Sequence, residues 1–417
     1  MKFTFGLKKI ASGNKRGRIL EQWKFDSHSS LLAPPIIASL TKNKSHSIIT
    51  GTKDGKIISV DLDANIEWVF NAKEDIDKME LMFLDVETSS SIQASPNVCD
   101  INNDGEKEIV VGSELGNIYT LNSKGKLLWK FKTNGSIRGT PLIADINNDG
   151  KKEIIFGSGD KNLYALDNRG VPLWKYDAKT EIESCPQKVQ NQIVFGCSNG
   201  EITSVNNKGE LLWRFKTKAK VLAQPISGKI FGNEKEVIII GSTDNYLYCL
   251  DLKGELIWSF KTRGAIYSKV VLADINNDGQ LEIIFGSCDN NVYALDSNGE
   301  IIWSYETDFW IVAPPLVEDI DGDGQLEVIV GSYDQNIYIL DARGSYKLNY
   351  VPGVSSVMQQ AGHYTDIMTE EPGTITGKKI WQYKTEGIIV GCGYINETKS
   401  IIVNTKTGKI NKLTHQD

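Results

Sequence analysis

The chain has 417 residues, 40% hydrophobic and 24% charged, which is the balance of a folded protein and not of a disordered one. Lys and Arg number 46 against 53 Asp and Glu, and the net charge of −7 argues against a nucleic-acid partner. No run of 18 apolar residues is present, so no helical membrane span is expected.

Residues 1–17 form an N-terminal extension that is basic but has no apolar core of a secretory leader. As written, the chain is expected in the cytoplasm. It would be extracellular or periplasmic if a leader had been removed. From residue 18 a tryptophan recurs in a fixed setting, at Trp23, Trp68, Trp129, Trp174, Trp213, Trp258, Trp303 and Trp381. The spacings are 45, 61, 45, 39, 45, 45 and 78, so the basic period is 45, with two long insertions and one shortened unit.

Each unit reads as four short strands. In the unit at 140–177 an apolar run after proline (TPLIADI) is followed by a β-rich run ending in Gly-Ser (EIIFGS). A tight turn (GDKN), an alternating strand (LYALD), a second turn and the tryptophan strand (PLWKYD) complete it. Four-stranded units at this period predict a β-propeller, and eight tryptophan strands predict eight blades. The C-terminal stretch supplies three strands, at 387–395, 399–405 and 408–414, and no tryptophan strand. The N-terminus supplies a tryptophan strand at 18–25 with nothing before it. The predicted fold is therefore all-β. It is a single eight-bladed propeller over 18–417, closed by the N-terminal strand joining the C-terminal blade.

The tryptophans read as packing between blades. The recurrent Asp54, Asp160, Asp244, Asp289 and Asp334 read as turn chemistry. The six cysteines and four histidines are scattered, with no metal-ligand spacing and no disulfide framework, and the cysteines read mainly as buried free thiols.

Two insertions break the period. Residues 71–93 join blades one and two and contain a dense apolar set including Met82 and Phe83, with a short helix expected within 73–84. Residues 345–377 are expected as a long loop between the third and fourth strands of blade seven. Phe309, Trp310 and Tyr267 fall on connections between blades, near the expected mouth of the ring, where aromatic rings could stack on a sugar or anchor a protein. Arg138, Lys220 and Arg263 fall on equivalent connections and could line a basic mouth.

A sharper motif occurs four times, as DINNDGEKE (100–108), DINNDGKKE (145–153), DINNDGQLE (274–282) and DIDGDGQLE (319–327). Each places oxygen-bearing side chains at positions one, three, five and nine, with glycine at six for a sharp turn. Ca²⁺ takes six to eight hard oxygen ligands on such loops. The equivalent stretches at 39–47 and 228–236 lack the carboxylates, and the shortened fourth unit has no loop.

On these loops the chain resembles propellers of the FG-GAP/VCBS class, whose first hairpins bind Ca²⁺. The phrases GSGDKNLYALDNRG (157–170) and GSCDNNVYALDSNGEIIW (286–303) also resemble the PQQ-like repeats of quinoprotein dehydrogenases. The first resemblance implies up to four Ca²⁺ sites. Their ligands would be Asp100, Asn102, Asp104, Glu108 and the Glu106 carbonyl, then Asp145, Asn147, Asp149, Glu153 and the Lys151 carbonyl. The third set is Asp274, Asn276, Asp278, Glu282 and the Gln280 carbonyl, and the fourth is Asp319, Asp321, Asp323, Glu327 and the Gln325 carbonyl.

The expected function is a non-enzymatic Ca²⁺-binding scaffold for a protein or other ligand, monomeric unless part of a complex. No catalytic residue is assigned. The alternative is a carbohydrate-binding or polysaccharide-lyase propeller acting on an acidic polysaccharide. A PQQ-dependent dehydrogenase is disfavoured, because the adjacent cysteine pair of many such enzymes is missing.

Overall fold

The computed structural model describes residues 17–42, 45–72, 91–232, 235–347 and 374–416. Eight four-stranded antiparallel sheets make up this part of the chain, and it contains no α-helix. Within each sheet the strands are A to D from the axis outward. In blade three they are Leu142–Ala144, Glu153–Gly157, Asn162–Leu166 and Pro172–Asp177. The A strands of successive blades adjoin around the axis.

Burial follows this layering. The B strands, such as Glu108–Gly112 and Glu153–Gly157, are buried at every position, because a neighbouring blade covers each face. Their continuous Ile, Val and Phe content matches that environment. The outer D strands, such as Leu127–Lys132, alternate between half-buried Trp and Phe and exposed Lys. Exposed lysine on an outer edge discourages pairing with another chain.

The ring closes as expected. Ile389–Ile395, Ser400–Thr405 and Lys409–Gln416 form blade eight with the N-terminal strand Arg18–Asp26 outside them. Arg18 lies opposite Gln416 and Asp26 opposite Lys409, whose side chains form an ion pair.

Two repeated contacts seat each blade on its neighbour. The glycine ending the B strand of blades one to six receives an aliphatic side chain from the next connection. A Cβ on Gly157 would lie 2.2 Å from Ile182 Cγ2, and one on Gly286 would lie 2.1 Å from Ile311 Cγ2. The D-strand tryptophans of blades one to five lie under the glycine of the next blade's C–D turn. A Cβ on Gly170, whose φ is 81°, would come 2.6 Å from the ring of Trp129. Except at Trp68, the indole N–H then donates across the same gap, for example Trp129 to Asn168 O at 3.1 Å and Trp258 to Ser297 O at 2.9 Å. At the closure Trp381 donates to Gly17 O at 3.0 Å. The repeated tryptophan is therefore an inter-blade packing residue, as its regular spacing predicts.

The irregular units also fall where expected, with one difference. Blade four turns directly from Val189 to Gln192, which leaves no room for a loop. Blade seven's C and D strands run Asn336–Lys347 and Thr374–Lys384, about twice the usual length. Ser345 pairs with Thr376, so the ends of the 345–377 insertion continue the ladder instead of forming loop. The reason is the alternating β-prone sequence on both sides. Met82, Phe83 and the helix expected within 73–84 lie outside the described residues.

Candidate functional site: two chemically distinct rims

Strand order puts the A–B hairpins and C–D turns on one rim, and the B–C turns and D–A connections on the other. A hydrogen bond from Ser123 Oγ in a C–D turn to Glu106 in an A–B loop, at 2.6 Å, ties the first rim together. One from Asn134 N in a D–A connection to Asp160 in a B–C turn, at 3.1 Å, ties the second.

All four carboxylate motifs lie on A–B hairpins and share one bonding scheme. The position-one carboxylate accepts the glycine N–H at position six, from Asp100, Asp145 and Asp274 at 2.9 Å and from Asp319 at 3.0 Å. The position-five carboxylates of Asp104, Asp149, Asp278 and Asp323 each accept the N–H of Glu106, Lys151, Gln280 or Gln325 at 2.8 Å. The position-nine glutamates are buried at the base. Glu108, Glu153, Glu282 and Glu327 accept the position-two N–H at 2.8–3.1 Å.

Burial pushes the Glu108, Glu153 and Glu282 carboxyls above the usual range, and the nearby aspartates of each loop push in the same direction. Position four has a left-handed backbone in every loop, at Asn103, Asn148, Asn277 and Gly322. That requirement explains why only Asn or Gly stands there.

The loops differ at position three. Asn102, Asn147 and Asn276 point an amide Nδ2 at two carboxylates. Asn102 reaches Asp104 at 2.9 Å and Glu108 at 3.4 Å, and the other two make the equivalent pairs at 3.1–3.3 Å. An amide N–H there offsets part of the repulsion. Blade seven has Asp321 instead, which has no N–H to offer. The oxygens of Asp319, Asp321 and Glu327 lie within 4.8 Å of one another. The Lys399 side chain, from blade eight, reaches this loop at Gly322.

The other rim carries the mouth. Here the turn aspartates do more than cap turns. Asp160, Asp244, Asp289 and Asp334 each accept a phenol O–H from Tyr164, Tyr248, Tyr293 or Tyr338 at 2.7–2.8 Å. Each also accepts a backbone N–H from the preceding connection, at Asn134, Lys218, Arg263 or Asp308.

The expected basic lining is only partly present. Arg138 is held by Glu114 at 2.8 and 3.0 Å and by Glu183 at 3.4 Å, and Lys220 lies 4.0 Å from Glu183. Side chains 24 and 45 residues away in sequence neutralise this arc. Arg263 is exposed and has no ion pair among the described residues.

The aromatic group is present as a cluster. Phe309, Trp310 and Tyr267 are 45%, 46% and 40% exposed, so they are not consumed by packing between blades. Phe309 and Trp310 have ring centroids 5.2 Å apart, and Tyr333 of the next B–C turn lies 6.4 Å from Trp310. Burial raises the Tyr333 phenol, with Cys288 and Tyr267 adding to it. Lys406 Nζ stands 6.0 Å from the Tyr333 ring centre. Tyr333 and Lys406 were not among the residues expected from sequence, because they occupy B–C turn positions that vary from blade to blade.

A family model described as the lambda-carrageenase β-propeller domain matches residues 48–144, 185–257 and 258–357, more than half of the chain. The chain belongs to that family. A second model, described as outer membrane protein assembly factor BamB, matches residues 103–213. The family assignment supports a propeller with PQQ-like repeats. The FG-GAP/VCBS resemblance has no counterpart in these matches.

Two solved structures share the fold. BamB from Moraxella catarrhalis is 15% identical over 95% of this chain and 99% of its own, with a TM-score of 0.63. The computationally designed Ika8 protein is 14% identical over 93% and 97%, with a TM-score of 0.64. At such identities the likeness shows the fold alone. No curated protein sequence matches the chain.

Proposed function

We propose that the chain is a non-enzymatic binding propeller whose carboxylate loops take Ca²⁺ and whose opposite mouth takes the ligand. The observation that carries the reading is the chemical division between the two rims. The loop rim gathers carboxylates that bond chiefly to the backbone of their own loops, whereas the mouth leaves aromatic rings exposed. The loops fit a hard cation. Asp145 Oδ1 is buried with no hydrogen-bond partner, and three carboxylates converge in blade seven. Bound Ca²⁺ would offset the burial and the carboxylate repulsion that raise the buried glutamates, and so stiffen the hairpins.

Metal analysis and thermal melting with and without chelator test the calcium reading. Bound metal and a lower midpoint in chelator are expected. At a hundred times the dissociation constant, one site stabilises by about 2.7 kcal/mol. A metal-free protein whose melting ignores both calcium and chelator would end this reading.

A second reading, that the mouth binds or cleaves a polysaccharide, is favoured by membership of the carrageenase propeller family. Incubation with lambda-carrageenan and with an acidic uronate polymer, following reducing ends and unsaturated products, separates it from the first. Reproducible product formation would replace the non-enzymatic reading.

A further inference from the structure

The mouth is uneven. On the arc formed by blades two to four, cations and carboxylates neutralise one another through Arg138, Glu114 and Glu183. Across blades six to eight the surface is an aromatic strip of Tyr267, Phe309, Trp310 and Tyr333, with Arg263 beside blade six and Lys406 on blade eight. Both cations are exposed and without ion pairs among the described residues. The backbone beneath the strip is already committed, since Tyr333 N donates to Trp310 O at 2.9 Å and Cys288 N to Ala265 O at 2.9 Å. Recognition there falls to side chains.

We infer that this strip docks an acidic polypeptide segment carrying a large apolar anchor residue. The inference rests on the binding-propeller reading and gives that mouth a partner class. Three features select it. Exposed Trp and Tyr offer large contact area with little loss of rotamer freedom, and such residues dominate binding energies at protein interfaces. Neighbouring rings are tilted by 35° and 40° instead of lying coplanar. That array surrounds a bulky side chain better than it stacks on one flat sugar ring. The unpaired cations stand towards the two ends of the strip, where carboxylates flanking an anchor would lie. Asp308, exposed beside Phe309, is a carboxylate inside the footprint and opposes an acidic partner.

The test uses fluorescence anisotropy with a labelled peptide of Asp and Glu around a central Leu-Phe pair, on the full chain. Controls are the same peptide with Asn and Gln, and heparin as a sulfated glycan. The acidic peptide should bind, weaken with salt, and bind at least about tenfold less tightly to Trp310→Ala. Arg263→Ala and Lys406→Ala should weaken binding and flatten the salt dependence. Asp308→Asn should tighten it. Melting curves of each variant establish that the fold is kept.

Equal binding of the neutral peptide, or undiminished binding to Trp310→Ala, would overturn the inference. Trp310-dependent heparin binding without peptide binding would overturn it too, while leaving the binding-propeller reading intact. If neither probe binds in a Trp310-dependent manner, both fall.

Discussion

Trp303 places its indole nitrogen 2.8 Å from the carbonyl oxygen of Ala342, one blade further round the ring. Trp303 is fully buried, so its bond lies where water cannot replace it. Trp303→Phe keeps most of the apolar area and removes the donor. It should cost about 1–3 kcal/mol, the penalty for a buried carbonyl left unpaired. Trp68 is the contrasting case, because its indole nitrogen is buried with no hydrogen-bond partner. Trp68→Phe should therefore cost less. Urea midpoints of the two variants check the order, and a larger loss at Trp68 would contradict it.

Gly157→Ala would drive a methyl group into Ile182 of the next connection. An overpacked site of this kind loses about 1–3 kcal/mol. Ile182→Ala alone leaves a cavity and should lose about 2–5 kcal/mol. Combined, the two should lose less than their sum, because each relieves the defect made by the other. Strict additivity in a double-mutant cycle would show that the two residues are not coupled.

The four phenols that donate to turn aspartates predict an alkaline limit. Burial first, and then the hydrogen bond to the carboxylate, raise Tyr164, Tyr248, Tyr293 and Tyr338 well above the ordinary tyrosine value. The folded state thus holds these protons after the unfolded chain has released them. Their contribution to stability is complete below about pH 10, the unfolded value, and is lost as pH rises through the folded values. Tyr293→Phe should be less stable at neutral pH and lose less on alkaline titration. Chemical unfolding across pH, with tyrosinate absorbance alongside, follows both effects.

Under the calcium reading, Lys399 occupies part of the field that a cation at the blade-seven loop would use. Lys399→Ala should strengthen Ca²⁺ binding there several-fold, and Glu327→Gln should abolish it. Calorimetric titration distinguishes this site from the three loops bearing asparagine. Unchanged affinity in Lys399→Ala would remove the lysine from the account.

Blade number and the location of the carboxylate loops are legible because each depends on residues close together in one repeat, and closure because one end supplies a lone strand and the other a sheet lacking that strand. Trp129 announces a D strand through its neighbours alone, and residues 18–25 announce an unpaired one. The second role of Asp160 was not legible in the same way. Its bond to Tyr164 spans four residues, but the bond to Asn134 exists only once the preceding connection has been folded across the turn. Arg138 failed as a marker of a basic mouth for the same reason. Its partners Glu114 and Glu183 belong to different blades, and pairing between blades leaves no trace in the period of the sequence. Phe309 and Trp310 were legible as exceptions, because bulky rings on a connection have no place in the repeated core.

The pairing of Arg18–Asp26 with Lys409–Gln416 has a consequence for the order of events during synthesis. The strand at Arg18–Asp26 leaves the ribosome before the seven sheets that separate it in sequence from its partner. Until that partner is made, its edge must wait unpaired while seven sheets accumulate. A chain released early would keep both that edge and the open flank of its last sheet exposed. Quality control would meet an incomplete product as a sticky arc, and only the finished ring would be free of it.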